Sequence, residues 1–194
     1  MSPRRSFLAA GLLGACAAPD RPSPPLSGET AIIAAEAWHT DICLPAGALP
    51  GGPLAALAAR APGAAGFALG FGLESWMRAG RPGPGGALAA PAGGPAAGSV
   101  RALPGAVPPG TEDAVTLRLP AGGPSAIAHF VAGQVTGPLD VRPDGGWTLL
   151  PSRLRYSLGF TCNTWVMEAL FRAGLPVPVA GMRFRTETMA ALWR

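Results

Sequence analysis

The sequence predicts an α+β domain in which a small antiparallel sheet packs against a few helices. Three observations support this fold class: short segments in which apolar residues alternate, segments with apolar residues at helical spacing, and a mixed order of the two kinds along the chain. One folded domain is expected from about Thr30 to the end of the chain, since that length can bury a core of its own.

The residues before this domain resemble an export signal. Arg4-Arg5 precede an apolar run from Phe7 to Ala15 that is too short to cross a bilayer, which takes about 20 residues. Residues 1–15 therefore resemble a twin-arginine signal peptide, and the segment that ends in Cys16 resembles a lipobox, whose cysteine carries the lipid. The alternative of a buried helix with Cys16 as a core thiol is disfavoured by the prolines that follow.

Residues 16–29 are rich in Pro and Ser and predict an extended tether. The expected product is a lipoprotein of the cell envelope, held to the inner or outer membrane on the periplasmic side by acylated Cys16. Its first expected partner is therefore the lipid bilayer.

Four segments predict strands. Thr30 to Leu44 predicts two short strands or one bent strand that Pro45 ends, Gly66 to Gly72 predicts a buried strand, Ala114 to Leu119 alternates strictly, and Trp147 to Leu150 is a shorter candidate. In the first segment one face carries Trp38, Thr40, Ile42 and Leu44, and the other carries His39, Asp41 and Cys43.

Helices are expected between these strands. They are Leu54 to Arg60, a turn at Glu74 to Ala79, a helix capped by Ser125, the segment Asn163 to Ala173 with Gly174 after it, and Glu187 to Trp193. The Gly-, Pro- and Ala-rich stretch from Arg81 to Gly98 predicts a loop, and Ser152 to Gly159 predicts irregular structure that includes Tyr156.

Composition and charge argue against two classes of partner. The chain has fifteen basic residues, all Arg, and eleven acidic ones. The basic residues are spread along the chain without a cluster, so the sequence does not predict a nucleic-acid-binding surface. The two histidines, with no CxxC pair, do not offer the ligands of a metal site, so no metal and no cofactor are expected.

Cys162 and His39 are the residues most able to perform chemistry. Cys162 lies at the start of the best helix, where unpaired amides and the helix dipole favour a thiolate nucleophile. His39 could take the proton that the thiol loses, and either Asp41 or Glu74 could orient the imidazole. Both residues could equally be structural, because cysteine and strand histidine are commonly packed side chains.

Two further residues need an assignment from the sequence. Cys43, between Ile42 and Leu44, is predicted to be a packed thiol, with a Cys43–Cys162 disulfide as the alternative. His129 is predicted to lie on the surface.

Two blocks of the chain resemble a proteobacterial family known as domain of unknown function 2459, catalogued as urease-region-associated hypothetical proteins. AEAWHTDICLPAGAL is similar to its HGWHTGIVLP opening, and YSLGFTCNTWVMEALFRAGLPV is similar to its YxxxxTCNTWVAxALRAAGLP block. That family is similar in layout to the permuted NlpC-type branch of papain-like peptidases and acyltransferases, where an early strand His precedes a late nucleophilic Cys at the head of a helix.

The resemblance implies a role for each matched residue. Cys162 matches the nucleophile and His39 the base, while Glu74 stands one place from the family's usual acid and Asp41 replaces a usual Gly. It implies a cysteine hydrolase or acyltransferase that acts on amide, ester or thioester bonds, with peptidoglycan stem peptides or acyl lipids as substrates. Asn163, Tyr156 and Trp38 are the residues expected to contact the substrate.

Two other functions remain open at this level. One is a non-catalytic binding or scaffold lipoprotein that keeps the fold, favoured by the altered acid position. The other is metal delivery, suggested by the urease-region label and disfavoured by the two histidines.

Overall fold

The computed structural model describes residues 24–49, 52–79, 92–141 and 146–193. The predicted signal peptide, Cys16 and most of the tether lie outside these residues. The described chain confirms an α+β fold with a seven-stranded antiparallel sheet and five helices. Among the described helices, none has the length and apolar character that crossing a membrane requires.

The strands are β1 (Leu26–Glu36), β2 (His39–Pro45), β3 (Gly66–Leu73), β4 (Gly94–Leu103), β5 (Asp113–Pro120), β6 (Asp140–Val141) and β7 (Thr148–Tyr156). The helices are α1 (Gly52–Ala59), α2 (Glu74–Ala79), α3 (Gly123–Ala132), α4 (Cys162–Arg172) and α5 (Arg185–Leu192). The order of strands across the sheet is β5-β1-β2-β3-β4-β7-β6.

The first predicted strand segment forms a hairpin. β1 and β2 pair antiparallel through a two-residue turn, in which Ala37 has a φ of 52°. A left-handed conformation is uncommon for a residue with a side chain, and here it lets the chain reverse immediately before His39. β1 begins at Leu26, before the predicted boundary at Thr30, because Leu26 already pairs with Pro120 of β5.

The prediction of a loop from Arg81 to Gly98 is wrong for its last residues. Residues 94–98 belong to β4, a central strand between β3 and β7. Ala96 and Ala97 are each only 1% exposed, so the small side chains that suggested a loop are packed within the sheet. Burial between two neighbouring strands overrides the weak strand propensity of Gly and Ala.

Two other boundaries differ from the prediction. β7 continues through the segment predicted to be irregular as far as Tyr156, because it pairs with β4 up to Gly94. The cap of α3 is Gly122, with φ of 79°, rather than Ser125. Pro124 in the first turn of α3 suits a position where no amide donor is needed.

Helix α4 packs on the sheet through Trp165, which is fully buried. Its ring stacks on Phe71 of β3, with ring centroids 5.7 Å apart and an interplanar angle of 6°, and its Nε1 donates to Gln134 Oε1 at 2.8 Å. Gly174 follows the helix with φ of 90°, as the sequence predicts. These contacts fix the start of α4 beside the ends of β2, β3 and β7.

Candidate active site

Cys162 is the first residue of α4, and Thr161 caps the helix. Thr161 Oγ1 accepts the amide of Thr164 at 3.4 Å, and the carbonyl of Thr161 accepts the amide of Trp165 at 2.9 Å. The amides of Cys162 and Asn163 have no acceptor within the helix, since they belong to its first turn. They are therefore donors placed next to the thiol.

His39 opens β2 and forms a hydrogen-bonded pair with Asp41. His39 Nε2 donates to Asp41 Oδ1 at 2.9 Å, and Arg101 Nη2 lies 3.6 Å from the other oxygen of Asp41. The Asp41 side chain is 13% exposed, so its carboxylate is largely shielded from water. It lies between the imidazole of His39 and the guanidinium of Arg101. With Nε2 engaged, Nδ1 is the ring nitrogen left for a second partner.

Cys162 lies near this ring, since both residues line the same cavity and Cys162 is among the groups that raise the pKa of His39. Burial lowers the pKa of the imidazole, but the charge of Asp41, the charge of Cys162 and hydrogen bonds to both side chains outweigh it, so the pKa lies well above its ordinary value. The structure thus brings together the thiol and the imidazole that the sequence singles out, although more than a hundred residues separate them in the chain.

Asn163 joins the two elements that carry this pair. Thr40 Oγ1 donates to Asn163 Oδ1 at 3.0 Å, and Asn163 Nδ2 donates to the carbonyls of Trp38 at 3.3 Å and Arg183 at 3.1 Å. Asn163 Nδ2 also lies 3.6 Å from Cys162 Sγ. Its side chain is buried and occupied by these contacts, so it positions the hairpin against α4, in addition to lining the cavity beside the thiol.

This role predicts a stability loss for Asn163→Ala. The substitution leaves the buried Thr40 hydroxyl and two part-buried carbonyls without their partner, and we expect the free energy of unfolding to fall by about 1–3 kcal/mol. Urea unfolding of Asn163→Ala, Thr40→Val and the double variant checks this. Strictly additive effects of the two substitutions would contradict a direct bond between Thr40 and Asn163.

Of the two candidate acids, Asp41 contacts His39 and Glu74 does not. Glu74 begins α2, where its carboxylate accepts from Arg78 at 2.9 Å, one helical turn away. It lies outside the set of residues that lines the cavity at Cys162. Glu74 is therefore engaged in an ion pair with Arg78 and not with His39.

Gly70 of β3 is a site residue that sequence reasoning missed. A Cβ at Gly70 would collide with Asp41 Oδ1, would lie 2.7 Å from Ser99 Oγ and would approach His39 Nε2 to 3.3 Å. The absence of a side chain is what gives the His39–Asp41 pair its room. The sequence signal for this residue is a glycine in the middle of the predicted buried strand GFALGFG. A glycine inside a strand often marks a position that another group approaches closely.

We expect Gly70→Ala to displace the Asp41 carboxylate and to slow acylation of Cys162 by about 10²-fold, the scale of a 1 Å misplacement. Single-turnover acylation by p-nitrophenyl acetate, followed by mass spectrometry, measures the rate. Gly28→Ala is the matched control, because Gly28 lies in β1 and a Cβ added there would meet no atom within 4 Å. Equal rates for the two variants would show that Gly70 does not support the pair.

The thiol opens into a cavity of about 510 Å³. Its lining comes from the β1–β2 turn and the residues that flank it, the end of β3, α2, the residue before β7 and the last residue of β7, the start of α4 and the loops on either side of α4. The members are Glu36, Ala37, Trp38, His39, Phe71, Gly72, Leu73, Trp76, Met77, Trp147, Tyr156, Leu158, Thr161, Cys162, Asn163, Arg183 and Phe184.

Tyr156 and Trp38, two of the residues expected to contact a substrate, line this cavity. Burial raises the pKa of the Tyr156 phenol, and the charge of Cys162 and a hydrogen bond to its side chain raise it further. The phenol is thus a neutral donor beside the sulfur. Trp38 lies at the rim and is 57% exposed.

The remaining predicted residues lie elsewhere. Cys43 is buried and free, and Cys162 is free as well, so the alternative of a disulfide between them is excluded. Burial and the nearby charge of Asp41 raise the pKa of the Cys43 thiol to about 12, against a smaller opposing effect of Arg101. His129 is exposed on α3, as predicted.

Comparison with known proteins adds nothing to this geometry: no family model, no curated protein and no solved structure matches the chain.

Proposed function

We propose that this protein is a cysteine hydrolase or acyltransferase in which Cys162, His39 and Asp41 act on amide, ester or thioester bonds. The observation that carries the proposal is the hydrogen-bonded pair of His39 and Asp41 together with Cys162 at a helix N-terminus, His39 and Cys162 lining one cavity. Nucleophile, base and orienting acid are therefore in the order that covalent catalysis by a thiol requires.

The first step is acylation. The Cys162 thiolate attacks the carbonyl carbon, a C–S bond forms, and the bond to the leaving group breaks. His39, whose pKa is raised by Asp41 and Cys162 against the effect of burial, gives its proton as an imidazolium to the leaving alcohol, thiol or amine.

The developing oxyanion requires donors next to the sulfur. The amides of Cys162 and Asn163 at the start of α4 supply them, and the Tyr156 phenol is a third. In the second step, His39 takes a proton from water or from an acceptor alcohol or amine, which attacks the thioester and releases Cys162.

The wider setting of this proposal is an envelope lipoprotein with a permuted papain-like layout. The order of an early strand His and a late helix Cys, which line the same cavity, supports that layout, as does the resemblance to domain of unknown function 2459. Acylated Cys16 would hold the domain to the periplasmic side of the inner or outer membrane.

Selective alkylation tests the proposal. The full chain is treated with iodoacetamide at pH 7, and the modified cysteines are identified by peptide mass spectrometry. We expect Cys162 to react in the folded protein, whereas Cys43 reacts only in urea because burial keeps it protonated.

Cys43 serves as an internal control for folding in the same sample. If Cys162 reacts only on unfolding, together with Cys43, the thiol is inert. The chain is then a binding or scaffold lipoprotein and the catalytic proposal fails.

A further inference from the structure

The wall of the cavity beside Cys162 is largely apolar. Leu73 ends β3, Trp76 and Met77 follow on α2, and Trp147 precedes β7. The Trp76 ring meets Trp38 edge to face, with centroids 5.5 Å apart. These side chains come from separate elements, so the apolar wall is a product of the fold and not of one hydrophobic segment.

The rim of the same cavity is apolar as well. Trp38, Leu158 and Phe184 are 57%, 55% and 62% exposed. Hydrogen bonds hold one side of this rim in place, since Glu187 Oε2 accepts the amides of Arg183 at 2.8 Å and Phe184 at 2.9 Å. Large apolar side chains gathered at the mouth of a cavity are characteristic of a binding site for an apolar ligand.

The charged groups of the lining are few. Besides His39, they are Glu36 and Arg183, and both lie in exposed positions near the mouth. A peptide that carries several carboxylates and amides would need polar partners along the whole wall, because burying such groups unpaired is costly. A hydrocarbon chain needs none.

We propose that the cavity binds the acyl chain of the substrate, with the chain along Trp76 and Met77 and the carbonyl carbon at Cys162. This inference rests on the proposed function. The substrate class is an ester, thioester or amide of a linear fatty acid. The acyl group passes from its leaving group to Cys162, which breaks the old C–O, C–S or C–N bond and forms the C–S bond, while His39 protonates the leaving group.

A chain-length series tests the inference. Acylation of Cys162 in the full chain is followed by mass spectrometry with p-nitrophenyl acetate, butyrate, hexanoate and octanoate, each rate divided by that of free cysteine with the same ester. We expect the normalised rate to rise by up to about fourfold per added methylene, the equivalent of ~0.8 kcal/mol, until the cavity is filled.

A polar chain of equal length is the matched substrate control. The mono-p-nitrophenyl ester of suberic acid has the length of the octanoate but ends in a carboxylate. We expect it to react at least tenfold more slowly than the octanoate, because the apolar wall would desolvate its charge. Equal rates for the two esters would overturn the acyl-chain assignment in favour of a polar substrate.

Variants locate the effect in the cavity. Trp76→Ala is expected to lower the octanoate-to-acetate rate ratio by about tenfold or more, since it removes a large part of the wall. Phe171→Ala removes an exposed aromatic ring of α4 outside the cavity and is expected to leave the ratio unchanged. Circular dichroism verifies that both variants fold.

The outcomes separate the two proposals. If the acetate acylates Cys162 but longer esters react no faster, the acyl-chain inference fails and the proposed function stands. If no ester of the series acylates Cys162, both the proposed function and the acyl-chain inference fail.

Discussion

Replacing His39 by alanine is expected to slow turnover of p-nitrophenyl butyrate by about 10²–10⁴-fold, the usual contribution of a positioned general acid or base. The reason is that deacylation in the proposed mechanism needs a group to take the proton from water, and His39, which lines the cavity with Cys162, is the proposed base. Steady-state release of p-nitrophenol measures the effect. The rate of release with Cys162→Ala gives the background without the thiol.

His129→Ala is the matched control. His129 is exposed on α3, where its Nδ1 lies within hydrogen-bonding distance of Ser125, and it is not among the residues that line the cavity. We expect the wild-type rate for this variant. A His39→Ala enzyme that retains half of the wild-type rate while Cys162→Ala is inactive would mean that the thiol acts without an imidazole.

Replacing Trp165 by alanine is expected to lower the free energy of unfolding by about 3–5 kcal/mol, a large share of the 5–15 kcal/mol of a typical domain. The ring is fully buried between Phe71 and Phe130, so its removal leaves a cavity beneath the site. It also leaves Gln134 Oε1 without the indole donor that lies 2.8 Å away. Urea unfolding followed by circular dichroism measures the loss.

Two further variants keep this prediction testable if Trp165→Ala does not fold. Trp165→Phe retains most of the apolar contact and loses the indole donor, so a smaller loss of about 1–3 kcal/mol is expected. Trp193→Ala removes a tryptophan that is 62% exposed and should change stability by less than about 0.5 kcal/mol. A Trp165→Phe variant as stable as wild type would show that the bond to Gln134 contributes nothing.

The elements that carry the site were predictable because local pattern determines them. Alternation across β2 placed Thr40, Ile42 and Leu44 on one face, and these residues are buried, whereas Trp38, assigned to the same face, lies in the turn and is exposed. The thiol at the head of α4 followed from apolar spacing at 3.6 residues per turn and from Gly174 after its end.

The strand β4 was not predictable from its own residues. Its first half is Gly, Pro, Ala, Ala and Gly, which has low strand propensity and becomes a strand only because β3 and β7 lie on either side. The continuation of β7 to Tyr156 depends on the same long-range pairing. That pairing also brings the phenol to the cavity.

The choice between Asp41 and Glu74 was also beyond the sequence. Asp41 is two residues from His39 on the same strand face, whereas Glu74 follows the neighbouring strand, and both positions are compatible with contact. In the structure His39 bonds to Asp41, whose carboxylate lies beside Gly70 and Arg101, while Glu74 pairs with Arg78. The apolar lining of the cavity could not be predicted from the sequence either, since its residues lie far apart in the chain.

The pairing of the Cys162 thiol with the His39 imidazole is tested most directly by an NMR titration of the His39 ring in wild type and Cys162→Ala. In wild type, His39 should remain protonated as the pH rises past the ordinary histidine pKa of about 6.5, because Asp41 and Cys162 together outweigh its burial. In Cys162→Ala the pKa of His39 should fall, because the charge and the hydrogen bond that Cys162 contributes are gone. A wild-type His39 pKa at or below 6.5, or one that Cys162→Ala leaves unchanged, would contradict the pairing.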